Sequence, residues 1–200
     1  MKTKLISFYS DLENNFYSSS AKKLQDFCVL NNISHDIVEL PSLGSYMLNC
    51  LQKPKFIKDM MNKHKCPLIW IDCDTILKKP FTAFDGIEAD IGFASHTGDI
   101  TGIKASPIYF NNTSKFDYII NSWINSCEMG LRLNGAELDH DALKHDVLPK
   151  IHQNINIFIL SENYNDYCNG EYLSNGLSRV GGKSIIYKKM NTINAKRPAL

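Results

Sequence analysis

Hydrophobic positions along the chain fall into two alternating kinds of run. Short apolar and β-branched stretches predict strands at Lys4 to Tyr9, His35 to Leu40, Pro67 to Ile71, Asp90 to Ala94, Ile108 to Asn111 and Ile155 to Leu160. Between them, Asn14 to Asn32, Leu48 to Lys65, Lys115 to Met129 and Glu137 to Leu148 carry the period of an amphipathic helix. Pro41 and Gly44 close the second strand, and Gly181-Gly182 precedes a last short one, Ser184 to Tyr187. Strands alternating with helices predict an α/β domain in which a mixed sheet is flanked by helices. Leu68-Ile69-Trp70-Ile71 is wholly apolar, as in a strand buried on both faces, and it stops abruptly at Asp72-Cys73-Asp74. No internal repeat or Pro-rich linker divides the chain. One domain is therefore expected, with residues 1–182 as its body and 183–200 as a last strand and basic tail.

Composition supports a packed domain and narrows its partners. Of 200 residues, 44% are hydrophobic and 22% charged, which excludes disorder and coiled coil. The 22 basic and 21 acidic side chains leave a formal charge of +1, so no global field recruits nucleic acid or an anionic membrane. That balance is uneven along the chain. No acidic residue follows Glu171, whereas Arg179, Lys183, Lys188, Lys189, Lys196 and Arg197 are basic. The segment reads either as a solvated tail or as positive charge laid over a bound anion. No stretch approaches the roughly 20 apolar residues of a membrane span, and the apolar run after Lys4 is too short for a secretory leader. The six cysteines are scattered singly without a CxxC pair, which predicts reduced thiols in a cytoplasmic protein. His140 and His145, five apart, do not share a helical face, so no zinc site is expected.

The chemistry concentrates at Asp72 and Asp74. Two carboxylates one residue apart, ending a buried strand of an open sheet, stand where such sheets bind ligands. They repel each other unless a cation, a proton or a donor compensates. A hard divalent ion such as Mn or Mg, held by one or two carboxylates together with substrate phosphate oxygens, meets that need.

Pro67 to Ile76, followed by Lys79-Pro80-Phe81, resembles the DxD strand of nucleotide-sugar-dependent glycosyltransferases of the GT-A (Rossmann-like) fold. Upstream, Lys53-Pro54-Lys55-Phe56 is similar to the KPxF segment of several such enzymes. Downstream, Ser106 to Thr113 looks like their strand after the metal site, and Asp139-His140-Asp141-Ala142-Leu143 resembles their DQxxL helix start. The resemblance covers Lys4 to Leu160. It implies a metal bound by Asp72 and Asp74, with Asp72 also near the donor ribose, and a nucleobase pocket lined by Phe8, Tyr9 and Ser10. It further implies Lys53, or its neighbour Lys55 in its place, near the donor nucleotide, and Asp139 and Asp141 as catalytic carboxylates by the sugar and acceptor hydroxyl; independently of the resemblance, the charge of the basic tail, Lys188 and Lys189 included, is expected toward the diphosphate. The implied donor is a nucleotide sugar, UDP-linked by preference, and the implied outcome is retention at the anomeric carbon.

The sequence departs from that pattern in three places. No His follows His152 to serve as a third metal ligand, His140 stands where the pattern has Gln, and Pro107 replaces a frequent Gly. Two other readings stay open. Asp72-Cys73-Asp74-Thr75 also resembles the nucleophile loop of haloacid-dehalogenase phosphatases, in which Asp72 would attack phosphorus, although that loop normally ends the first strand of its fold. The third is a module that binds a nucleotide sugar without turnover.

Overall fold

A computed structural model describes residues 3–11, 15–80, 84–132, 138–160, 162–164 and 171–174. Six strands, β1 (Lys4–Tyr9), β2 (His35–Glu39), β3 (Leu68–Trp70), β5 (Ile91–Ser95), β6 (Ile103–Phe110) and β7 (Ile157–Leu160), form one mixed sheet in the order β2-β1-β3-β6-β5-β7. β1 runs parallel to β2 and β3, β6 runs antiparallel to β3 and β5, and β7 is parallel to β5. A second, two-stranded sheet pairs β4 (Ile76–Leu77) with β8 (Leu173–Ser174).

The apolar runs of the sheet are explained by what covers each face. On β1, β3, β5 and β6, side chains alternate between two cores. Ile6, Phe8, Leu68, Trp70, Ile91, Phe93, Ile108 and Phe110 enter the larger one, while Leu5, Ile69, Ala94 and Tyr109 enter the smaller. Against the larger core pack α3 (Lys53–His64) through Phe56, Ile57 and Met60, and α4 (Phe116–Arg132) through Ile119, Ile120 and Trp123. The chain from Asp139 to Ile151 joins them. It passes from a first turn, α5 (Asp139–Asp141), through a π-helical stretch (Ala142–Val147) into α6 (Leu148–Ile151). The smaller core is closed by Leu24 and Cys28 of α1 (Phe16–Leu30) and by Leu77, Phe84 and Leu173.

The expected α/β layering is therefore present, with differences of detail. The helix expected over Leu48 to Lys65 is two helices, α2 (Tyr46–Leu51) and α3, parted at Gln52. Ser45 starts α2 by accepting the Leu48 N–H on its hydroxyl, at 3.2 Å. β6 begins five residues before the expected Ile108, because Ile103 to Pro107 mixes polar with apolar side chains and shows no clean period. β4 and β8 have two residues each, too few for any period to register. The expected strand Ser184 to Tyr187 and the whole of 183–200 lie outside the described residues. Among the described residues no helix is long and apolar enough to cross a membrane.

Candidate active site

Strand order puts a crevice where two carboxylates emerge. From β1 the chain passes outward to β2, then returns across β1 to β3, so the connections diverge at the carboxyl ends of β1 and β3. Such a switch point is where open α/β sheets leave room for a ligand. β3 delivers Asp72 there. Its backbone N–H donates to Ser106 Oγ of β6 at 3.0 Å, and its carbonyl accepts the Thr75 N–H at 3.0 Å, folding Asp72 to Thr75 into a tight turn. Cys73 is buried in that turn and Asp74 is half-buried.

Lys53 organises the acidic side chains. It opens α3, where the helix dipole disfavours a cation, so something else must hold it. Its Nζ lies 2.6 Å from Asp139 Oδ2 and 3.2 Å from Asp72 Oδ1, and 5.2 Å from the centre of the Trp70 ring. The Lys53 and Asp139 side chains are only 7% and 5% exposed, whereas Asp72 is 33% exposed. Burial alone would push the Lys53 ammonium down, but the Asp139 and Asp72 charges outweigh it and hold Lys53 protonated. For Asp139 burial is the larger influence and pushes the carboxyl up, against the pull of Lys53.

Both tryptophans of the chain serve this cluster. Trp70 Nε1 donates to Asp72 Oδ1 at 2.9 Å, and Trp123 Nε1 donates to the Asp139 carbonyl at 2.7 Å. Their rings meanwhile sit in the larger core. Neither indole is among the expected site residues, although Trp70, two positions before Asp72 on a strand, shares its face by period. Two tyrosines at helix starts add to the surroundings. Burial, then the Asp74 charge, raises the Tyr17 phenol, and Tyr46 is raised by Cys50 and by its own burial.

The expected site residues divide accordingly. Asp72, Lys53 and Asp139 come together, and Asp74 follows on the same turn. Asp141 does not join them through Lys53, since residues two apart on a helix point about 200° from each other. Phe8 is 8% exposed and packs in the core against Phe56 and Trp70, with ring centres 5.2 and 5.3 Å away. The strand's alternation sends that ring inward. Tyr9 is half-buried with its hydroxyl 3.4 Å from Glu39 Oε2, and Ser10 Oγ donates to the Leu40 carbonyl at 2.8 Å. Lys188 and Lys189 lie outside the described residues.

No protein-family model matches the sequence, and no curated protein matches it significantly. Solved structures do resemble it. A glycosyltransferase involved in the glycosylation of the major capsid of PBCV-1 superposes with a TM-score of 0.69 over 94% of this chain and 100% of that one, at 12% identity. The apo-form glycosyltransferase GlyE of Streptococcus pneumoniae TIGR4 matches 94% of this chain at a TM-score of 0.51 and 15% identity; the match spans 51% of that chain. The chain shares their fold.

Among the described residues no three His, Cys, Asp or Glu side chains converge as a ready metal cage. The donor set nonetheless fits a hard cation that also binds phosphate. Both contacts of the Asp72 carboxylate fall on Oδ1, so among the described residues Oδ2 takes none, and the turn brings Asp74 close behind. Mn and Mg accept one or two carboxylates and fill their shells with water and substrate oxygens.

Proposed function

We propose that the chain is a glycosyltransferase of the GT-A type, moving a sugar from a nucleotide-diphosphate sugar, UDP-linked by preference, to an acceptor hydroxyl with retention. The observation that carries this reading is the Asp72–Lys53–Asp139 cluster at the switch point between β1 and β3, in a fold shared with glycosyltransferases. Asp72 and Asp74 would hold Mn or Mg, which, when bound, neutralises the negative charge that develops on a departing diphosphate.

The chain's own residues do the rest. Lys53 holds the Asp72 and Asp139 side chains together, while the Trp70 N–H fixes the Asp72 carboxylate and the Trp123 N–H fixes the Asp139 backbone. The anomeric carbon gains positive charge as the diphosphate leaves, and a carboxylate beside it stabilises that charge. Of the two candidates, Asp139 is the better placed, since Lys53 ties it to Asp72. The basic tail is placed toward the diphosphate on its charge alone, since no acidic residue follows Glu171. Leu77 faces Leu173 and Ile76 faces Ser174 in an antiparallel pair, so β8 runs toward the Asp74 end of β4. Arg179, Lys188 and Lys189 follow that strand in sequence.

A panel of UDP- and GDP-sugars with Mn tests the reading through release of nucleoside diphosphate. Slow donor hydrolysis is expected, falling at least 100-fold in Asp74→Asn, as for loss of a transition-state charge contact, with the circular dichroism spectrum unchanged. Cleavage of p-nitrophenyl phosphate in place of donor hydrolysis would overturn it in favour of a phosphatase. Donor binding without turnover, even with acceptors supplied, would leave a binding module.

A further inference from the structure

The amino-terminal end of β6, beside the carboxyl end of β3, is irregular. Ile91, Gly92 and Phe93 of β5 lie opposite Phe110, Tyr109 and Ile108 of β6, but Ser95 lies opposite Ile103, so Ala94 alone spans the four residues Lys104 to Pro107. Such a bulge frees one strand from its neighbour and re-aims its side chains. On its other side β6 pairs with β3 from Leu68–Phe110 to Trp70–Ile108, a register that sets Asp72 opposite Ser106. The Ile71 N–H donates to the Ile6 carbonyl of β1 at 3.1 Å, so by alternation the next N–H, that of Asp72, points to β6. It meets no strand carbonyl there. It donates to the Ser106 hydroxyl at 3.0 Å, and the Asp72 carbonyl turns away to accept the Thr75 N–H. Ser106 is 1% exposed, so its hydroxyl is committed to groups inside the protein.

We infer that Ser106 is a positioning residue, whose hydroxyl ends the β3–β6 ladder, sets the direction of the Asp72–Thr75 turn and thereby fixes the spacing of the Asp72 and Asp74 carboxylates. The inference rests on the reading that those carboxylates hold Mn or Mg, and adds to it the group that governs their separation. Trp70 and Lys53 hold the Asp72 side chain through Oδ1, but two carboxylates one residue apart are spaced by the backbone that joins them. A small divalent cation demands near-ideal geometry from its ligands, so a change in that spacing is read out as affinity. Ser106 acts on the cation through this turn and without touching it.

Ser106→Ala and Ser106→Thr test this role, with Ser95→Ala as a control for packing. Ser95 is also buried, and it donates to the Asp99 carbonyl at 2.7 Å rather than to the acidic turn. Exchange of the Asp72 amide is followed by NMR on the ligand-free chain, and Mn affinity in the presence of UDP by electron paramagnetic resonance. In Ser106→Ala the Asp72 amide exchanges about 3- to 10-fold faster, the range of one hydrogen bond, and Mn binds more weakly by a similar factor. Ser106→Thr keeps the hydroxyl and restores both. Ser95→Ala lowers the Tm but leaves the Asp72 amide and the Mn affinity unchanged. Unchanged Mn affinity in Ser106→Ala, a loss that Ser106→Thr does not relieve, or an equal loss in Ser95→Ala makes Ser106 a packing residue and overturns the inference alone. A wild-type chain that binds no Mn, with UDP or without it, overturns the metal reading and this inference with it.

Discussion

At the scale of single residues, Lys53 decides the character of the site. It is a buried cation at the end of a helix that repels it, held by two carboxylates that would otherwise repel each other. Removing one partner of a buried pair typically costs 3–5 kcal/mol, because the remaining charge is stranded. Lys53→Met is accordingly expected to lose about 3 kcal/mol or more in urea denaturation. Lys53→Met/Asp139→Asn is expected to lose less than the sum of its single variants, the non-additivity being the measure of the pair. His140 gives a second prediction at this scale. Its folded pKa of about 4 lies below the ordinary 6.5, so on acidification the unfolded chain takes up this proton first. The penalty is absent above pH 6.5, grows as pH falls, and is complete below about 4. Wild type should therefore lose more stability between pH 6.5 and 4.5 than His140→Leu, as read from urea midpoints at each pH.

Elements supply the geometry that these side chains need. β3 reaches the crevice only because it is apolar on both faces, Leu68 and Trp70 to one core and Ile69 to the other, so its carboxyl end is the first place where a carboxylate meets solvent. The break at Gln52 between α2 and α3 matters equally, because it puts Lys53 at a helix start rather than mid-helix. Neighbouring β5 shows how tightly the sheet is covered. A Cβ on Gly92 would lie 2.8 Å from Phe84 Cε1 and 3.3 Å from the Tyr109 Cβ, and the Phe84 ring is stacked on Tyr109. Gly92→Ala should thus cost about 1–3 kcal/mol by forcing that ring aside. Donor hydrolysis should change less than stability, since Phe84 lies in the smaller core, on the face of the sheet opposite Trp70 and Trp123.

For the molecule as a whole, the net charge of +1 conceals an acidic crevice and an acid-free stretch after Glu171. A ligand that binds only the folded chain stabilises it by mass action, by about 2.7 kcal/mol at a hundredfold excess over Kd. Mn with UDP should therefore raise the Tm of the wild type in differential scanning calorimetry. Mn alone should raise it less, because two carboxylates are only part of a coordination shell. Asp74→Asn should abolish most of the shift. An equal shift from UDP with and without Mn would mean that the nucleotide site does not use the carboxylate turn.

The sequence alone determined the layering and the place of the acidic turn, because both depend on short-range patterns: period-2 strands, helical runs, and a charged stop after an apolar strand. It also carried Asp72, Asp74, Lys53 and Asp139 as separate motifs. Only the tertiary structure decided which of them meet. Lys53 and Asp139 are 86 positions apart in the chain, and no local pattern encodes a 2.6 Å contact across that distance. The same holds for the indole of Trp123, an apparent core residue whose N–H orients Asp139, and for Phe8, an apparent pocket residue whose ring the core encloses. In each case the outcome depended on which groups from distant segments were available to satisfy a buried charge, donor or ring, and packing alone brings those segments together.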